Sequence, residues 1–161
     1  MRYKKIGRIQ EELSAACIGT WGMDNICWGD FDEQVAIDAV RTAIDCGVNF
    51  LDTAARYGNG AAETIVGKAL KDGYREKIQL LTKFGIWGEY PNGTLVVHRD
   101  SSYDRVYFDI EHSLERLDTD HIDYYLQHWP DVNTPIEVTC KALNELREKG
   151  KIRYIGICIQ R

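Results

Sequence analysis

The sequence lacks an apolar run as long as a membrane-spanning helix requires, which is about 20 residues. Its first twelve residues contain no apolar core of the signal-peptide kind. No block of lysine and arginine stands out, and the formal net charge of −5 opposes binding to a polyanion. These absences predict a cytoplasmic protein with no membrane partner and no nucleic-acid partner.

Patterns typical of metal and disulfide sites are missing as well. The five cysteines are odd in number, scattered along the chain and without a CxxC pair. The four histidines form no HExxH or comparable ligand spacing. We therefore expect reduced thiols and no metal site, as is usual in the cytoplasm.

What the sequence does contain is a regular alternation of short apolar runs and amphipathic helical patterns. With 161 residues it is long enough for a single domain, residues 1–161, with a core of its own. Strand patterns cover residues 14–21, 48–52, 77–84, 121–129 and 151–159. Helical patterns cover residues 31–47, 61–73, 101–117 and 134–149. This order, four βα units and a fifth strand, predicts a parallel sheet with crossover helices.

Two α/β architectures fit that order: a doubly wound sheet, or part of a TIM-type (β/α)8 barrel. A complete barrel typically needs about 250 residues, so this chain supplies about half of one. A half barrel would leave the first and fifth strands with unpaired edges and its inner face open to water. We therefore expect self-association or pairing with a complementary half.

Local signals predict how several segments begin. Ser101 or Ser102 is a candidate cap for the third helix. For the fourth helix, the stretch 134–137 (TPIE) offers a threonine cap, a proline at the first position and a capping-box glutamate. The segment 86–100 reads as an insertion-like loop that covers the site or selects substrates, and 58–60 (GNG) as a turn into the second helix.

Three ionisable residues stand at the last positions of three consecutive predicted strands: Asp52, Lys83 and His128. Side chains alternate along a strand, so each of the three continues an apolar face. In α/β proteins, chemistry collects at this carboxyl end of the sheet. Tyr57 lies in the loop just after Asp52, close enough to fold back over it.

These four side chains together can transfer a proton. A charge on an apolar face is costly unless paired, and Asp52 and Lys83 on adjacent strands can pair with each other. A lysine ammonium near a phenol stabilises the phenolate, which makes Tyr57 a usable acid. His128 would hydrogen-bond the substrate oxygen or share the proton. Taken singly, each residue reads as a solvated strand end, but their coincidence in one layer favours a site.

Several stretches resemble the aldo-keto reductase family. They are FLDTAARYGNGAAETIVGKAL (50–70), LLTKFG (80–85) and DYYLQHWPD (123–131), supported by IGTWGM (18–23) and IRYIG (152–156). The resemblance covers essentially the whole chain in the family's order, and it corresponds to the amino-terminal half of the family's barrel.

The resemblance implies an NADP(H)-dependent oxidoreductase that reduces aldehydes or ketones to alcohols. By position, Asp52, Tyr57, Lys83 and His128 match the family's catalytic tetrad. Tyr57 would protonate the carbonyl oxygen, Lys83 held by Asp52 would support it, and His128 would orient a small carbonyl substrate. Thr20, Trp21 and Asp52 match positions that line the cofactor side of the site.

The sequence departs from the family's pattern in two respects. The later strands and loops, which bind the cofactor phosphates, are not part of it, so we expect weak cofactor binding and doubtful activity. Cys158 and Ile159 stand where the family has a serine–asparagine pair that holds the nicotinamide amide. The alternatives are a non-catalytic, barrel-derived binding or regulatory module, or a truncated gene product that self-associates.

Overall fold

The computed structural model of the chain describes residues 1–7, 9–23 and 28–158. Five strands form one parallel sheet in chain order: β3 (Ile18–Gly19), β4 (Phe50–Asp52), β5 (Gln79–Phe84), β8 (Ile122–Gln127) and β9 (Ile152–Ile157). Four helices connect them: α1 (Glu33–Asp45), α2 (Ala61–Ala69), α3 (Tyr103–Leu117) and α4 (Ile136–Glu148). The predicted half barrel of four βα units and a fifth strand is confirmed. Ile159, named in the sequence analysis, and Cys27, one of the five cysteines, lie outside the described residues.

Two antiparallel hairpins accompany the parallel sheet. The first pairs β1 (Tyr3–Lys5) with β2 (Glu12–Ser14). Its second strand ends at Ser14, the first residue of the predicted strand 14–21, and of that prediction only Ile18 and Gly19 join the parallel sheet. The second pairs β6 (Ile86–Glu89) with β7 (Val96–Arg99). The segment 86–100 is therefore a β-hairpin rather than an irregular loop.

Helix starts show which local signals operate. Ser102 caps α3, since its hydroxyl accepts from the backbone N–H of Arg105. The predicted capping box of α4 is wrong: Pro135 occupies the cap position, and its side chain makes no capping hydrogen bond within the described residues. The Thr134 hydroxyl instead donates to the carboxylate of Asp131, at 2.6 Å. The helix therefore begins one residue later than the pattern predicts, with Thr134 outside the cap position.

The sheet separates a large outer core from a smaller inner cluster. The outer core fills the space between the sheet and its helices, and Phe84 and Tyr125 pack there with ring centroids 4.8 Å apart. The inner cluster contains Leu81 and Tyr124, with Tyr154 stacked on Tyr124 at 5.1 Å. The inner face thus presents an apolar floor that leads up to the strand ends.

No helix within the described ranges combines the length and the apolar character needed to cross a membrane.

Candidate active site at the strand ends

Parallel pairing brings the predicted site residues to one end of the sheet. Asp52 is the last residue of β4 and pairs with Leu81, two positions before Lys83 on β5. His128 directly follows β8, where its backbone N–H donates to the carbonyl of Phe84 at 3.0 Å. Tyr57 opens the short helical turn 57–60 beyond β4. All four predicted residues therefore meet at the carboxyl ends of the strands.

Lys83 is the centre of this arrangement. Its side chain is 5% exposed, and its ammonium donates to an Asp52 carboxylate oxygen, to the Thr53 carbonyl at 2.9 Å and to the Tyr57 hydroxyl oxygen at 3.2 Å. An ammonium group has three N–H donors and no acceptor, so these contacts satisfy it completely. Because the Tyr57 oxygen accepts from Lys83, the phenolic hydrogen is free to donate to another group.

His128 closes the opposite side of the site. Its ring meets the ring of Tyr57 edge to face, with centroids 5.9 Å apart. The residue is 7% exposed, and its Nδ1 has no hydrogen-bond partner within the described ranges. Burial, together with the charges of Lys83 and Arg56, lowers the pKa of His128 to about 4. The imidazole is therefore neutral at physiological pH.

The two residues predicted to line the cofactor side occupy different environments. The backbone N–H and the hydroxyl of Thr20 both donate to the carbonyl of Asp52, each at 3.1 Å, and Thr20 is fully buried. Thr20 thus ties the end of β3 to the end of β4. Trp21 is 55% exposed, and its ring centroid lies 6.5 Å from that of Tyr57. Its other neighbour is Trp28, in an edge-to-face contact at 5.4 Å.

Sequence reasoning missed a buried ion pair directly behind the site. Glu63 of α2 is fully buried, where it accepts from the Thr82 hydroxyl at 2.6 Å and from the Arg116 guanidinium at 2.7 Å. Thr82 precedes Lys83 on β5. A Cβ on Gly60, whose φ is +98°, would lie 2.6 Å from the Arg116 side chain, so only glycine fits there. The unused signal was a glutamate on the apolar face of a helical pattern.

The described residues form neither a metal site nor a disulfide. No cluster of three or more potential metal ligands occurs within the ranges the structure describes. The described cysteines, at positions 17, 46, 140 and 158, are unbridged. A cavity of about 830 Å³ lies at the amino-terminal end of the strands, where Arg75 pairs with the buried Asp123 at 3.0 Å. That cavity is at the opposite end of the sheet from the four site residues.

Two curated relatives span nearly all of this chain. Aldo-keto reductase YhdN of Bacillus subtilis is 41% identical over 98% of the chain and 46% of its own length. The NADH-specific methylglyoxal reductase of Escherichia coli is 38% identical over 97% of the chain and 51% of its own length. The chain therefore spans about half the length of the curated relatives it matches.

Solved structures of similar proteins share the fold. The holo form of aldo-keto reductase AKR11C1 from Bacillus halodurans superposes with a TM-score of 0.86 at 34% identity, over 100% of this chain and 51% of that one. An aldo/keto reductase from Klebsiella pneumoniae in complex with NADP and acetate gives a TM-score of 0.75 at 33% identity, over 92% and 46% of the two chains. The model of the aldo/keto reductase family matches residues 15–160. This chain belongs to the aldo/keto reductase family.

Proposed function

We propose that this chain carries the acid–base groups of a carbonyl reductase, with Tyr57 as the acid. The observation that carries the proposal is the complete satisfaction of the Lys83 ammonium by Asp52, Thr53 and Tyr57. It fixes the Tyr57 oxygen as an acceptor from Lys83 and leaves its hydrogen for a substrate oxygen. The nearby ammonium also stabilises the phenolate that remains after proton transfer.

His128 acts in this proposal as a neutral hydrogen-bonding group. A buried imidazole whose pKa is lowered to about 4 is neutral at physiological pH, so it keeps one N–H to donate in a hydrogen bond but lacks the acidic proton of an imidazolium. It is therefore suited to orienting a carbonyl oxygen against Tyr57, and the alternative in which it shares the proton is disfavoured. Asp52, 38% exposed on its side chain, holds Lys83 from the side that faces water.

The hydride donor in this proposal is a nicotinamide cofactor, NADP(H), which supplies a hydride to the carbonyl carbon when bound. The residues present fit such a group on one side, since the exposed indole of Trp21 borders Tyr57 and offers an aromatic surface for stacking. Similar proteins include one solved with NADP and one named NADH-specific, so both forms belong in the test. A cytoplasmic location, where thiols stay reduced, is part of the same proposal.

Tryptophan fluorescence tests cofactor binding and absorbance of the nicotinamide tests turnover. We expect saturable quenching by NADPH and slow reduction of a small aldehyde. Tyr57→Phe is expected to lower turnover by roughly 10² to 10⁴-fold without weakening cofactor binding. Tyr125→Phe is a matched control, because that hydroxyl is buried in the outer core and has no partner among the described residues.

Two outcomes would contradict the proposal. Turnover that persists in Tyr57→Phe would show that Tyr57 is not the acid. Absence of binding at millimolar NADPH and NADH would favour the alternative of a non-catalytic binding or regulatory module.

A further inference from the structure

The turn that carries Tyr57 has an unusual backbone. Gly58 and Asn59 both adopt the left-handed conformation, with φ of 57° and 49°. Asparagine is one of the few residues with a side chain that tolerates this region, so the backbone alone restricts position 59 to residues such as asparagine or glycine. The contacts of the Asn59 side chain show what asparagine adds there that glycine does not.

Asn59 reaches across to the hairpin formed by β6 and β7. Its amide nitrogen donates to the carbonyl of Gly88 in β6, at 3.1 Å. Its amide oxygen faces Arg56, whose guanidinium lies 3.4 Å away. A Cβ on Gly88 would lie 2.9 Å from a Leu95 side-chain carbon and 3.0 Å from the Arg56 guanidinium carbon, so Arg56 packs closely against the hairpin.

The hairpin itself is fixed to the body of the protein. Trp87 is stacked between His98 of β7, with centroids 5.0 Å apart, and the Arg105 guanidinium of α3, at 3.7 Å. Arg105 pairs with Asp109 at 2.7 Å, and Asp109 also accepts from the backbone N–H of Gly85 at 2.8 Å. The Asn59–Gly88 hydrogen bond therefore joins the Tyr57 turn to a hairpin that is itself held against α3.

The same corner bears on the electrostatics of the site. Arg56 is adjacent in sequence to Tyr57, and its charge acts together with that of Lys83 on the neighbouring His128. A shift of the turn would therefore move both the Tyr57 hydroxyl relative to Lys83 and the Arg56 charge relative to His128. The side chain of Asn59 connects the turn that carries Arg56 and Tyr57 to the hairpin.

We propose that Asn59 is a positioning residue, which holds the Tyr57 hydroxyl over Lys83 and the Arg56 guanidinium beside His128 by anchoring their turn to the β6–β7 hairpin. The kinetic consequence rests on the function proposed above. The structural consequence, an ordered Tyr57 ring, does not.

Asn59→Gly tests this role because glycine accepts the left-handed backbone and removes only the side chain. Asn92→Gly is the matched control, since Asn92 has φ of 54° in the hairpin turn away from Tyr57. With ¹³C-labelled tyrosine, and the Tyr57 signal assigned through Tyr57→Phe, we expect Asn59→Gly to shift and broaden that signal. The control should leave it as in the wild type.

Kinetics and a second variant extend the test. Asn59→Gly is expected to lower kcat for aldehyde reduction by roughly 10- to 100-fold with little change in the KM for the cofactor. Gly88→Ala, whose added methyl group would press on both Leu95 and Arg56, should change the Tyr57 signal in the same manner. Thermal unfolding of each variant checks that the fold is retained.

The outcomes separate the two proposals. An unchanged Tyr57 signal in both Asn59→Gly and Gly88→Ala would overturn the positioning role whatever the activity. If the wild type shows no turnover but the variants still change the Tyr57 signal, the positioning role is supported while the proposed function fails. Active protein with an Asn59→Gly kcat equal to that of Asn92→Gly would also overturn the role.

Discussion

His128 couples the chemistry of the site to the stability of the protein. Its imidazole is buried beside two cations, so the folded state resists protonation that the unfolded chain accepts readily. The pKa of the side chain is about 4 in the folded protein against an ordinary 6.5. Stability that is fully present above about pH 6.5 is thus lost as the pH falls toward 4, because the unfolded chain binds the proton first.

Replacement of His128 by glutamine should remove this part of the acid sensitivity. Urea unfolding at pH 7 and pH 4 should show the wild type losing about 3 kcal/mol more than His128→Gln between the two values. Carboxylates titrate in both proteins and cancel in the difference. Equal losses in the two proteins would show that His128 is freely protonated in the folded state.

Residue types and strand ends sufficed to locate the site, but not to describe it completely. Asp52, Lys83 and His128 could be predicted because each continues an apolar strand face, and a buried charge requires a partner. The contributions of Arg56 and Asn59 could not, since they depend on a left-handed turn and on a hairpin that the sequence analysis treated as a loop. The catalytic roles assigned to Asp52, Tyr57, Lys83 and His128 stay predictions.

At the scale of secondary-structure elements, the Glu63–Arg116 pair joins two helices and one strand at a single point. Glu63 belongs to α2, Arg116 to α3, and the Thr82 hydroxyl that donates to Glu63 belongs to β5. The carboxylate has no exposed surface, so its charge depends on these partners. The pair therefore fixes the two helices to the strand that carries Lys83.

Glu63→Gln should destabilise the protein by about 3 kcal/mol, because it leaves the partly buried Arg116 without a counter-charge. Guanidinium chloride unfolding provides the measurement. Glu33→Gln serves as the control: it breaks a solvent-exposed pair with Lys68 and should cost no more than about 1 kcal/mol. Equal effects of the two substitutions would contradict a special role for the buried pair.

The order of elements could be predicted well because amphipathic periodicity reports which face of a helix or strand is buried. Details that depend on particular contacts could not be predicted in this way. Thr134 was predicted to cap α4, but in the structure its hydroxyl donates to Asp131. The pairing of β6 with β7 depends on contacts across the hairpin that a reading of local turn signals did not anticipate.

On the scale of the whole molecule, the sheet has an open edge. In the described part of the chain no strand pairs with the far side of β9. On the face of β9 opposite Tyr154, Ile155 and Ile157 are 38% and 57% exposed. An unpaired edge with apolar side chains favours association, and the self-association expected from sequence stays a prediction.

Sedimentation velocity over a range of concentrations tests that prediction. We expect the wild type to form dimers or larger species, and Ile157→Lys to shift the distribution toward monomer. Val35→Lys is the control, because Val35 is 64% exposed on α1, away from β9. A wild-type protein that sediments only as an 18.5 kDa monomer would rule out self-association.

The β6–β7 hairpin also has a consequence for protein engineering. It is closed at its base by the backbone hydrogen bond from Asp100 to Gly85, at 3.2 Å, and its own strands pair with each other rather than with the parallel sheet. Residues 90–95 at its tip can therefore be exchanged for other sequences without breaking a pairing of the sheet. A library built at the tip would vary the exposed end of the hairpin while the anchoring contact at Gly88 is kept.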